Sequence, residues 1–541
     1  RTLLANDPHL PGVLPPHWYL AHIRTPNWQL SGASFAGTPA FAAGHNEHGA
    51  WGVTVGLVDN TDLFLEEIGP DRLSIREGSR FVPCEVRHEK IAVKGGPSEE
   101  IEVLVTPRGP IVSPALDNVS EAYSMRATWL DPQPIGGLLA IHKSTDFESF
   151  RQSLAEWPGL AFNMAYADKH GNYGWQMMGQ APRRKTGFGV LPMPGWNKEN
   201  GWYPDSVPFE DMPHAVNPDI GFIVTANNKP VQDGTGPFLS ADFADGYRCS
   251  AIVQFLKERT DWTVADTQAL QLNTLSLPWQ EIREVVLALQ PDDKAAKTAL
   301  ELLQQWDGQV TVDSPGATVF ELFTSDMCLR LAKAVAPKSY QWALGQGFTP
   351  MAPVGLFGER RISHLVTRIR HQAPGIFSRP WSEEILDCLS AVIKSLQETH
   401  GNEPADWAWG LVRPLYLRHP LGRKKPLDRI FNLGPIPMPG DANTIPQATV
   451  TPLDPTGDPV YIPSLRMVVD VGNWSASRFI LPSGQSGNPF SPHFADQLPL
   501  WERNEGLPIA WTEEEIKATT VATLRLIPGQ TSLRRLSNEC H

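Results

Sequence analysis

Strand-forming residues occupy both ends of this chain of 541 residues, and residues with helical periodicity occupy its middle. From residue 1 to about residue 130, runs of β-branched and aromatic residues, such as Ala50 to Val55 and Ile101 to Val105, alternate with Gly, Pro and Asn. This pattern is typical of strands joined by turns. Similar alternation returns from Ser464 to Asp470. Strands that enclose helices in this way fit two sheets stacked between helical layers, in which the last strands pair with the first.

A helix and a hairpin are predicted after the first strands. Thr145 and Glu148 have the spacing of a capping box, which predicts a helix from Thr145. Its apolar face would consist of Phe147, Phe150, Leu154 and Trp157. The runs from Ala161 to Asp168 and from Tyr173 to Met178, separated by Gly and Asn, predict two strands joined by a tight turn.

The apolar period becomes 3.6 residues between Tyr247 and about Glu398, which predicts a helical insertion. The candidate helices span residues 248–258, 264–273, 278–289, 293–306, 316–335 and 382–398, and another lies near residues 512–518. We therefore predict an α+β chain with two parts. Residues 1–247 and 440–541 would form the core, and residues 248–439 would form a mainly helical elaboration.

Composition and charge exclude several classes of protein. Hydrophobic residues form 41% of the chain and 18 residues are tryptophan, which indicates a large packed core. The net charge of −13 is spread without a long basic block, which argues against a nucleic-acid partner. No apolar run reaches the roughly 18 to 20 residues that a membrane-spanning helix needs.

No internal serine has the sequence context of a hydrolase nucleophile. A nucleophile elbow reads G-x-S-x-G, whereas Ser34 lies in the sequence GASFA and Ser486 lies in GQSGN. Amide hydrolysis would also require a base and donors for the oxyanion of the tetrahedral intermediate. An internal serine nucleophile is therefore disfavoured.

Four short segments near the N-terminus carry a resemblance to a known family. The segment from Leu4 to His9 reads LANDPH, and it is followed by GHN at Gly44 to Asn46, by WGVTVG at Trp51 to Gly56 and by DNTD at Asp59 to Asp62. In order and spacing these segments resemble the large subunit of the penicillin acylase family. Looser similarity continues to about Trp501.

This resemblance implies the four-layer αββα sandwich of the N-terminal nucleophile hydrolases, with a large helical insertion, and hydrolysis of a linear amide. It also implies a nucleophile that is the amino-terminal serine of a self-cleaved precursor, with its own α-amine as the base. An α-amine pKa of about 7 to 8 suits that role. In the family this serine lies upstream of the segment that matches Leu3 to His9, so here it would precede Arg1.

The resemblance assigns supporting roles in catalysis to four residues. His9 matches a histidine that orients the serine hydroxyl in cephalosporin and acyl-homoserine-lactone acylases, where penicillin G acylases carry glutamine. Val55 matches the backbone N–H donor to the oxyanion, Asn227 the side-chain donor, and Arg248 the arginine that holds this asparagine and the serine amine. From the residues alone, a strand end at His9 and a turn at Asn227 are the preferred explanations, and a surface ion pair at Arg248 is the alternative for that residue.

The acyl-binding positions of the family fall on four apolar residues: Leu10, Ala43, Val53 and Phe162. Ala43 stands where penicillin G acylases carry phenylalanine, which predicts a wider or longer pocket. Ordinary core packing is the alternative for each of the four.

A structural calcium site is also implied by the resemblance. Its ligands would be the carboxylates of Asp59 and Asp62 and the carbonyl of Thr61, because calcium prefers clustered oxygen ligands. Asp242 and the Gly189 carbonyl are more distant candidates. A surface turn of the form D-x-x-D is the alternative.

The partner implied by the resemblance is a small α subunit from the same precursor, and the implied location is the periplasm or the cell exterior. No organic cofactor is implied. Two other functions fit parts of the sequence. An acyl-homoserine-lactone acylase would share every site residue and differ in pocket shape, whereas a non-catalytic carbohydrate- or peptide-binding β protein would account for the many tryptophans.

Overall fold

A computed structural model describes residues 2–116, 119–349, 352–354 and 362–526. The strands of this part are β1 (Leu3–Asn6), β2 (His9–Leu10), β3 (Trp18–Arg24), β4 (Gln29–Phe35), β5 (Phe41–Asn46), β6 (Gly49–Val55), β7 (Thr61–Glu66), β8 (Ser74–Glu77), β9 (Arg80–Pro83), β10 (Glu85–Ile91), β11 (Glu99–Thr106), β12 (Gly109–Pro110), β13 (Ala122–Ala127), β14 (Phe162–Asp168), β15 (Tyr173–Met178), β16 (Pro182–Arg184), β17 (Met193–Pro194), β18 (Trp202–Ser206), β19 (His214–Val216), β20 (Gln346–Thr349), β21 (Ala352–Val354), β22 (Leu415–Leu417), β23 (Leu433–Ile436), β24 (Ile462–Pro463), β25 (Arg466–Asp470) and β26 (Arg478–Ile480). The α-helices are α1 (Gly136–Ala140), α2 (Phe147–Ala155), α3 (Tyr247–Glu258), α4 (Val264–Leu270), α5 (Leu277–Leu287), α6 (Lys294–Gln305), α7 (Pro315–Val335), α8 (Tyr340–Ala343), α9 (Ile362–His371), α10 (Trp381–His400), α11 (Trp409–Val412), α12 (Asp428–Phe431), α13 (Leu498–Glu502) and α14 (Glu513–Thr519).

Two antiparallel sheets pack face to face, and the smaller one joins strands from both ends of the chain. The larger joins its strands in the order β19-β15-β14-β6-β5-β4-β3, and the smaller in the order β1-β25-β26. In the smaller sheet Leu3 pairs with Asp470 and Asn6 with Met467, so the last strands return to the first, as the sequence pattern predicts. Apolar side chains from both sheets form one buried cluster between them: Leu4, Met467, Val469 and Phe479 from the smaller sheet and Ala33, Ala43, Ala50 and Ala167 from the larger.

A helix covers the outer face of each sheet. Phe147, Phe150 and Leu154 of α2 pack with Trp51 and Met164 of the larger sheet. On the other side α4 contacts β25, and Gln271, just after α4, donates from Nε2 to the Met467 carbonyl at 3.4 Å. The four layers therefore follow the order helix, sheet, sheet, helix.

The start of α2 differs by one residue from its prediction. Asp146 is the N-cap, its side chain accepts from the Ser149 backbone N–H, and the Ser149 side chain accepts from the Asp146 N–H. Thr145 therefore lies outside the capping box. Aspartate is an equally good N-cap, and a serine hydroxyl can complete the reciprocal pair. The helix therefore uses Asp146 and Ser149 as its capping box in place of Thr145 and Glu148. The predicted hairpin is confirmed, since β14 and β15 pair from Phe162↔Met178 to Ala167↔Tyr173.

Helices α3 to α7 and α10 confirm the helical periodicity between Tyr247 and Glu398, with ends within a few residues of those predicted. Helix α9 (Ile362–His371) was not predicted. Helices α5, α6, α7, α9 and α10 share a hydrophobic cluster that includes Trp279, Phe320 and Leu389. The division into core and elaboration stays a prediction. Among the described residues no helix is both long and apolar enough to cross a membrane.

Asn6 links the two sheets by hydrogen bonds across their interface. Its Nδ2 donates to the Val53 carbonyl at 2.9 Å, and its Oδ1 accepts from the Val53 N–H at 3.2 Å. Asn6 is only 6% exposed, so both bonds lie away from competing water. Gly52 gives Asn6 the necessary space, because a Cβ on Gly52 would lie 2.9 Å from the Asn6 Cβ.

We expect Gly52→Ala to lower the free energy of unfolding by about 1 to 3 kcal/mol, because the added methyl group overpacks the contact with Asn6. Thermal or denaturant unfolding would measure the loss. Gly159→Ala is the matched control, since the nearest atom to its new Cβ would be 3.7 Å away. Equal stability of the two variants would contradict this account of Gly52.

Candidate active site

His9 lies just beyond the first strand of the smaller sheet, where β2 pairs with β24 through His9↔Pro463. Its Nε2 accepts a hydrogen bond from the Gln447 backbone N–H at 3.1 Å. A ring nitrogen that accepts carries no proton, so this bond assigns the proton to Nδ1. Burial, with additional repulsion from Arg248 and Arg466, holds the pKa of His9 well below its ordinary value. His9 is therefore a neutral imidazole at neutral pH.

Val55 ends strand β6, and its backbone N–H points away from the neighbouring strand β14. The Gly56 N–H donates to the Ala161 carbonyl at 2.9 Å, and Val55 is opposite Phe162. Hydrogen-bonded and non-hydrogen-bonded pairs alternate in antiparallel ladders, so Val55 occupies the non-hydrogen-bonded position. On the other side, β5 pairs with β6 only at Gly44↔Trp51 and His45↔Ala50. The Val55 N–H is thus directed beyond the end of β5.

Asn227 is held in a left-handed backbone conformation, with φ of 62°. Asparagine adopts this region more readily than most residues, but at some cost, and such positions cluster at functional sites. Its Nδ2 donates to the Val55 carbonyl at 2.9 Å, and its Oδ1 accepts from Nη2 of Arg248 at 2.9 Å. Because an amide nitrogen has two hydrogens, a second donor remains on Nδ2.

Arg248 lies in the first turn of α3 and is 5% exposed. A cation at this end of a helix opposes the helix dipole, so its burial requires a compensating contact. The bond to Asn227 is such a contact, and the burial of Arg248 is incompatible with a surface ion pair. Since a guanidinium only donates, it also fixes which side of the Asn227 amide carries the oxygen.

All four of these residues line one cavity, which we call the central cavity, with a volume of about 300 Å³. Its polar lining consists of Asp7, His9, Thr38, Thr54, Thr225, Asn227 and Arg248, with Val55 beside them. Its apolar lining includes Leu10, Trp18, Phe35, Ala42, Val53, Leu138, Trp157, Leu160, Phe162, Ile252 and Ile445. A mostly apolar cavity with a small set of convergent polar groups is typical of a small-molecule site.

Three of the four predicted pocket residues, Leu10, Val53 and Phe162, line the central cavity, but Ala43 does not. Ala43 is fully buried between the two sheets and packs with Met467 and the residues around it. Successive strand residues point to opposite faces, so the neighbouring residue Ala42 faces the cavity instead. The prediction for Ala43 was one residue out of phase.

Asp7 is an ionisable residue of the cavity that the sequence analysis did not select. Its Oδ2 lies 3.9 Å from Nε2 of His9 and is a buried atom without a hydrogen-bond partner in the described part of the chain. Burial raises the pKa of Asp7 to about 7, against the opposing effects of Arg466 and Arg248. The available signal was an acidic residue two positions before the predicted histidine.

A hydrogen-bond network supports the oxyanion side of the cavity and was also missed. The hydroxyls of Thr54 and Thr225 are 2.8 Å apart, which ties β6 to the segment that leads to Asn227. Asn163 donates from Nδ2 to Thr54 Oγ1 at 3.2 Å and accepts from Trp175 Nε1 at 3.0 Å. These contacts join segments that are distant in sequence, so no local motif could have predicted them.

The residues expected to bind calcium lie together but are engaged by an arginine. Nη2 of Arg184 lies 2.8 Å from Asp62 Oδ1, 3.1 Å from Asp59 Oδ2 and 3.1 Å from the Asp59 carbonyl oxygen. Thr61 donates through its hydroxyl to Asn60 Oδ1 at 3.2 Å. No group of three or more His, Cys, Asp or Glu residues suited to a metal occurs among the described residues. The donor set as folded therefore does not fit calcium.

The outer candidates for calcium binding lie beside the same group. Gly189 adjoins the ion pair, since a Cβ there would lie 2.3 Å from Asp62 Oδ1. Burial raises the pKa of Asp59, Arg184 lowers it, and Asp62 and Asp242 raise it further, so Asp242 also acts on this cluster.

We expect Asp7→Asn to reduce the loss of stability between about pH 4 and pH 7. The folded-state pKa of Asp7, about 7, lies above its ordinary value of 3.8, so its contribution is complete below that value and is lost as the pH rises to 7. Asparagine removes this titration and keeps the shape, and the measurement is the unfolding midpoint against pH. Asp233→Asn, at a side chain that is 96% exposed, is the control. An unchanged slope for Asp7→Asn would refute the shift.

Comparison with known proteins identifies the family. A family model described as penicillin amidase matches residues 1–518. Penicillin acylase 2 proenzyme from Pseudomonas sp. is 28% identical, over 98% of this chain and 67% of that protein. An acyl-homoserine lactone acylase from Pseudomonas aeruginosa is 27% identical, over 93% of this chain and 64% of that protein. This chain thus spans about two thirds of the length of these relatives.

A solved structure supports the same conclusion at the level of the fold. Thermostable penicillin G acylase from Alcaligenes faecalis superposes with a TM-score of 0.74 at 23% identity, and the match covers 98% of this chain and 97% of that chain. The helix, sheet, sheet, helix order is thus that of the N-terminal nucleophile hydrolase fold, as predicted, and the family implies no organic cofactor. The chain belongs to the penicillin amidase family of hydrolases, which act on carbon–nitrogen bonds in linear amides.

Proposed function

We propose that this chain is the larger part of an amidohydrolase that cleaves N-acyl compounds through an amino-terminal serine located upstream of Arg1. One observation carries the proposal: His9, Val55, Asn227 and Arg248 line the same apolar cavity. Distant parts of the chain supply these four residues, so their convergence is unlike the local turns and ion pairs that would otherwise explain them. A non-catalytic binding protein would have no need of an oriented amide beside a strand-end N–H.

In the proposed mechanism the serine Oγ attacks the amide carbonyl carbon while its proton passes to the serine α-amine. The carbonyl oxygen becomes negative and receives hydrogen bonds from the Val55 N–H and from the second hydrogen of Asn227 Nδ2. Collapse of the tetrahedral intermediate breaks the C–N bond, and the proton moves to the leaving amine. Water then releases the acyl group from the serine by the same sequence of steps.

His9 and Arg248 act as positioning residues in this mechanism. A neutral His9 with its proton on Nδ1 can orient the serine hydroxyl without competing for its proton, because its pKa lies well below neutral pH. Arg248 holds the Asn227 oxygen, so the nitrogen is aimed at the oxyanion before the reaction begins. Such preorganised donors stabilise charge without reorganisation during the reaction.

The acyl part of the substrate would occupy the apolar walls of the central cavity. Aromatic and aliphatic side chains such as Trp18, Phe35 and Trp157 line it, and most of the polar lining belongs to the proposed reaction site and its supports. This supports an apolar acyl group, while the leaving amine projects outwards. The acyl moiety of a β-lactam side chain fits this description, and the amine is less constrained.

The small α subunit from the same precursor would supply the rest of the protein, and the periplasm or cell exterior is the proposed location. The length of the curated relatives supports the first point, since about a third of it lies outside the match. A calcium ion has no part in the proposed mechanism, because the residues proposed for it hold Arg184 instead.

We expect Asn227→Ala to lower kcat of the complete processed enzyme by about 10² to 10³, because one oxyanion donor is lost. Steady-state hydrolysis of an N-acyl amide would measure the effect. Asn217→Ala is the matched control, since Asn217 also has a left-handed backbone, with φ of 43°, but lies outside the central cavity. Both variants should lose some stability. An unchanged kcat for Asn227→Ala would remove Asn227 from the mechanism.

We also expect Ala42→Leu to shift the preferred acyl chain to shorter lengths, because the larger side chain fills part of the central cavity. The readout is kcat/KM over a series of N-acyl amides of increasing chain length, presented on both a β-lactam and a homoserine lactone amine. Ala43→Val, in the core between the sheets, should lower stability and leave the chain-length profile unchanged. A changed chain-length profile for Ala43→Val with an unchanged profile for Ala42→Leu would show that Ala43 is the pocket residue.

A further inference from the structure

Arg184 is a buried cation surrounded by the oxygen atoms that a calcium ion would use. It lies at the end of strand β16, and its side chain is 4% exposed. The Asp62 carboxylate, 1% exposed, faces it, and Asp59 contributes both a carboxylate oxygen and its backbone carbonyl. Three separate oxygens therefore converge on the single atom Nη2. A guanidinium and a metal ion cannot occupy this position together.

Both carboxylate oxygens of Asp62 are already used by N–H donors. Oδ1 accepts from Arg184 Nη2 at 2.8 Å and from Arg184 Nε at 3.2 Å. Oδ2 accepts from Arg184 Nε at 3.0 Å and from the indole Nε1 of Trp202 at 2.6 Å. The parallel bonds from Nε and Nη2 form a bidentate pair, which is the strongest arrangement of arginine and carboxylate. Each oxygen of the Asp62 carboxylate therefore already has two N–H contacts.

An aromatic ring and a glycine lie against the guanidinium of Arg184. The ring of Phe238 lies 5.8 Å from its Cζ. Gly189 packs directly against the ion pair, since a Cβ there would lie 2.7 Å from Nε and Nη2 of Arg184. Gly189 also has φ of 70°, a conformation that other residues rarely adopt. The loop that carries Gly189 therefore lies in direct contact with Nε and Nη2 of Arg184, whereas Nη1 is buried without a hydrogen-bond partner in the described part of the chain.

We infer that Arg184 takes the place of the calcium ion that the resemblance to the penicillin acylase family implies. The protein would then stabilise the region of Asp59 and Asp62 with its own cation and would not depend on calcium. The permanent charge of arginine meets the need of two buried or half-buried carboxylates for a positive partner. Asp242 adds a third negative charge near Asp59, which increases that need.

The test measures calcium binding and thermal stability in the complete processed protein. For the wild type we expect no bound calcium after dialysis, by elemental analysis, and the same Tm in EDTA and in millimolar calcium chloride. Arg184→Met leaves the Asp59 and Asp62 carboxylates without their cation and should lower Tm by roughly 5 °C in EDTA. Calcium should recover part of that loss, because the ion can then occupy the space between the carboxylates.

Arg183→Met is the matched control. Arg183 precedes Arg184 in the same strand but pairs with Asp205 at the surface, where its side chain is 46% exposed and that of Asp205 is 63% exposed. This variant should keep the wild-type Tm and remain insensitive to calcium, because exposed ion pairs contribute little.

Stoichiometric calcium in the wild type, or a rise of its Tm with calcium that Asp62→Asn removes, would overturn the inference. These wild-type measurements decide the question even if Arg184→Met fails to fold. Neither depends on catalysis, so the outcome is separate from that of the proposed function.

Discussion

The two hydrogen bonds between Asn6 and Val53 hold the proposed site together. They join the first strand of the smaller sheet to strand β6 of the larger sheet, and both are buried. His9 follows Asn6 by three residues and Val55 follows Val53 by two, so one contact sets the distance between the two walls of the cavity. Because the bonded groups are the backbone N–H and carbonyl of Val53, the register of β6 is fixed as well as its position.

A second chain of contacts runs from Arg248 through the Asn227 amide to the Val55 carbonyl, and it sets the direction of the hydrogen bonds in the site. Each link has only one possible direction, because a guanidinium donates and a carbonyl accepts. The amide is thereby oriented by two fixed partners and not by the substrate. The left-handed backbone of Asn227 is compatible with this arrangement, since the surrounding bonds offset its strain. A buried arginine in the first turn of a helix is locally unfavourable, and the hydrogen bond from Arg248 to Asn227 offsets this cost.

The sequence predicted which segments are strands and helices better than it predicted which face of a strand a given residue occupies. Strand and helix types follow from periodicities that extend over many residues, and the return of the last strands to the first was correct. Ala43 shows where such prediction fails. Its selection came from the family resemblance alone. A shift of one residue along a strand exchanges the cavity face for the core, and only the pairing with neighbouring strands fixes that phase. The predicted capping box at Thr145 failed because an overlapping pattern, Asp146 with Ser149, was equally sound chemically.

At Asp59 and Asp62, the local sequence predicts a pair of carboxylates, but only the fold determines which positive group they bind. The spacing of the two carboxylates indicates either a cation site or a surface turn, and the burial of Asp62 at the start of a strand is what requires a positive partner. The identity of the partner depends on a residue more than a hundred positions later, which β16 delivers beside β7 together with the glycine that accommodates it. An ion adjusts its coordination to whatever oxygens are present, whereas a guanidinium demands planar, in-line acceptors. The two parallel bonds from Nε and Nη2 to the Asp62 carboxylate therefore favour an arginine as the partner at this position.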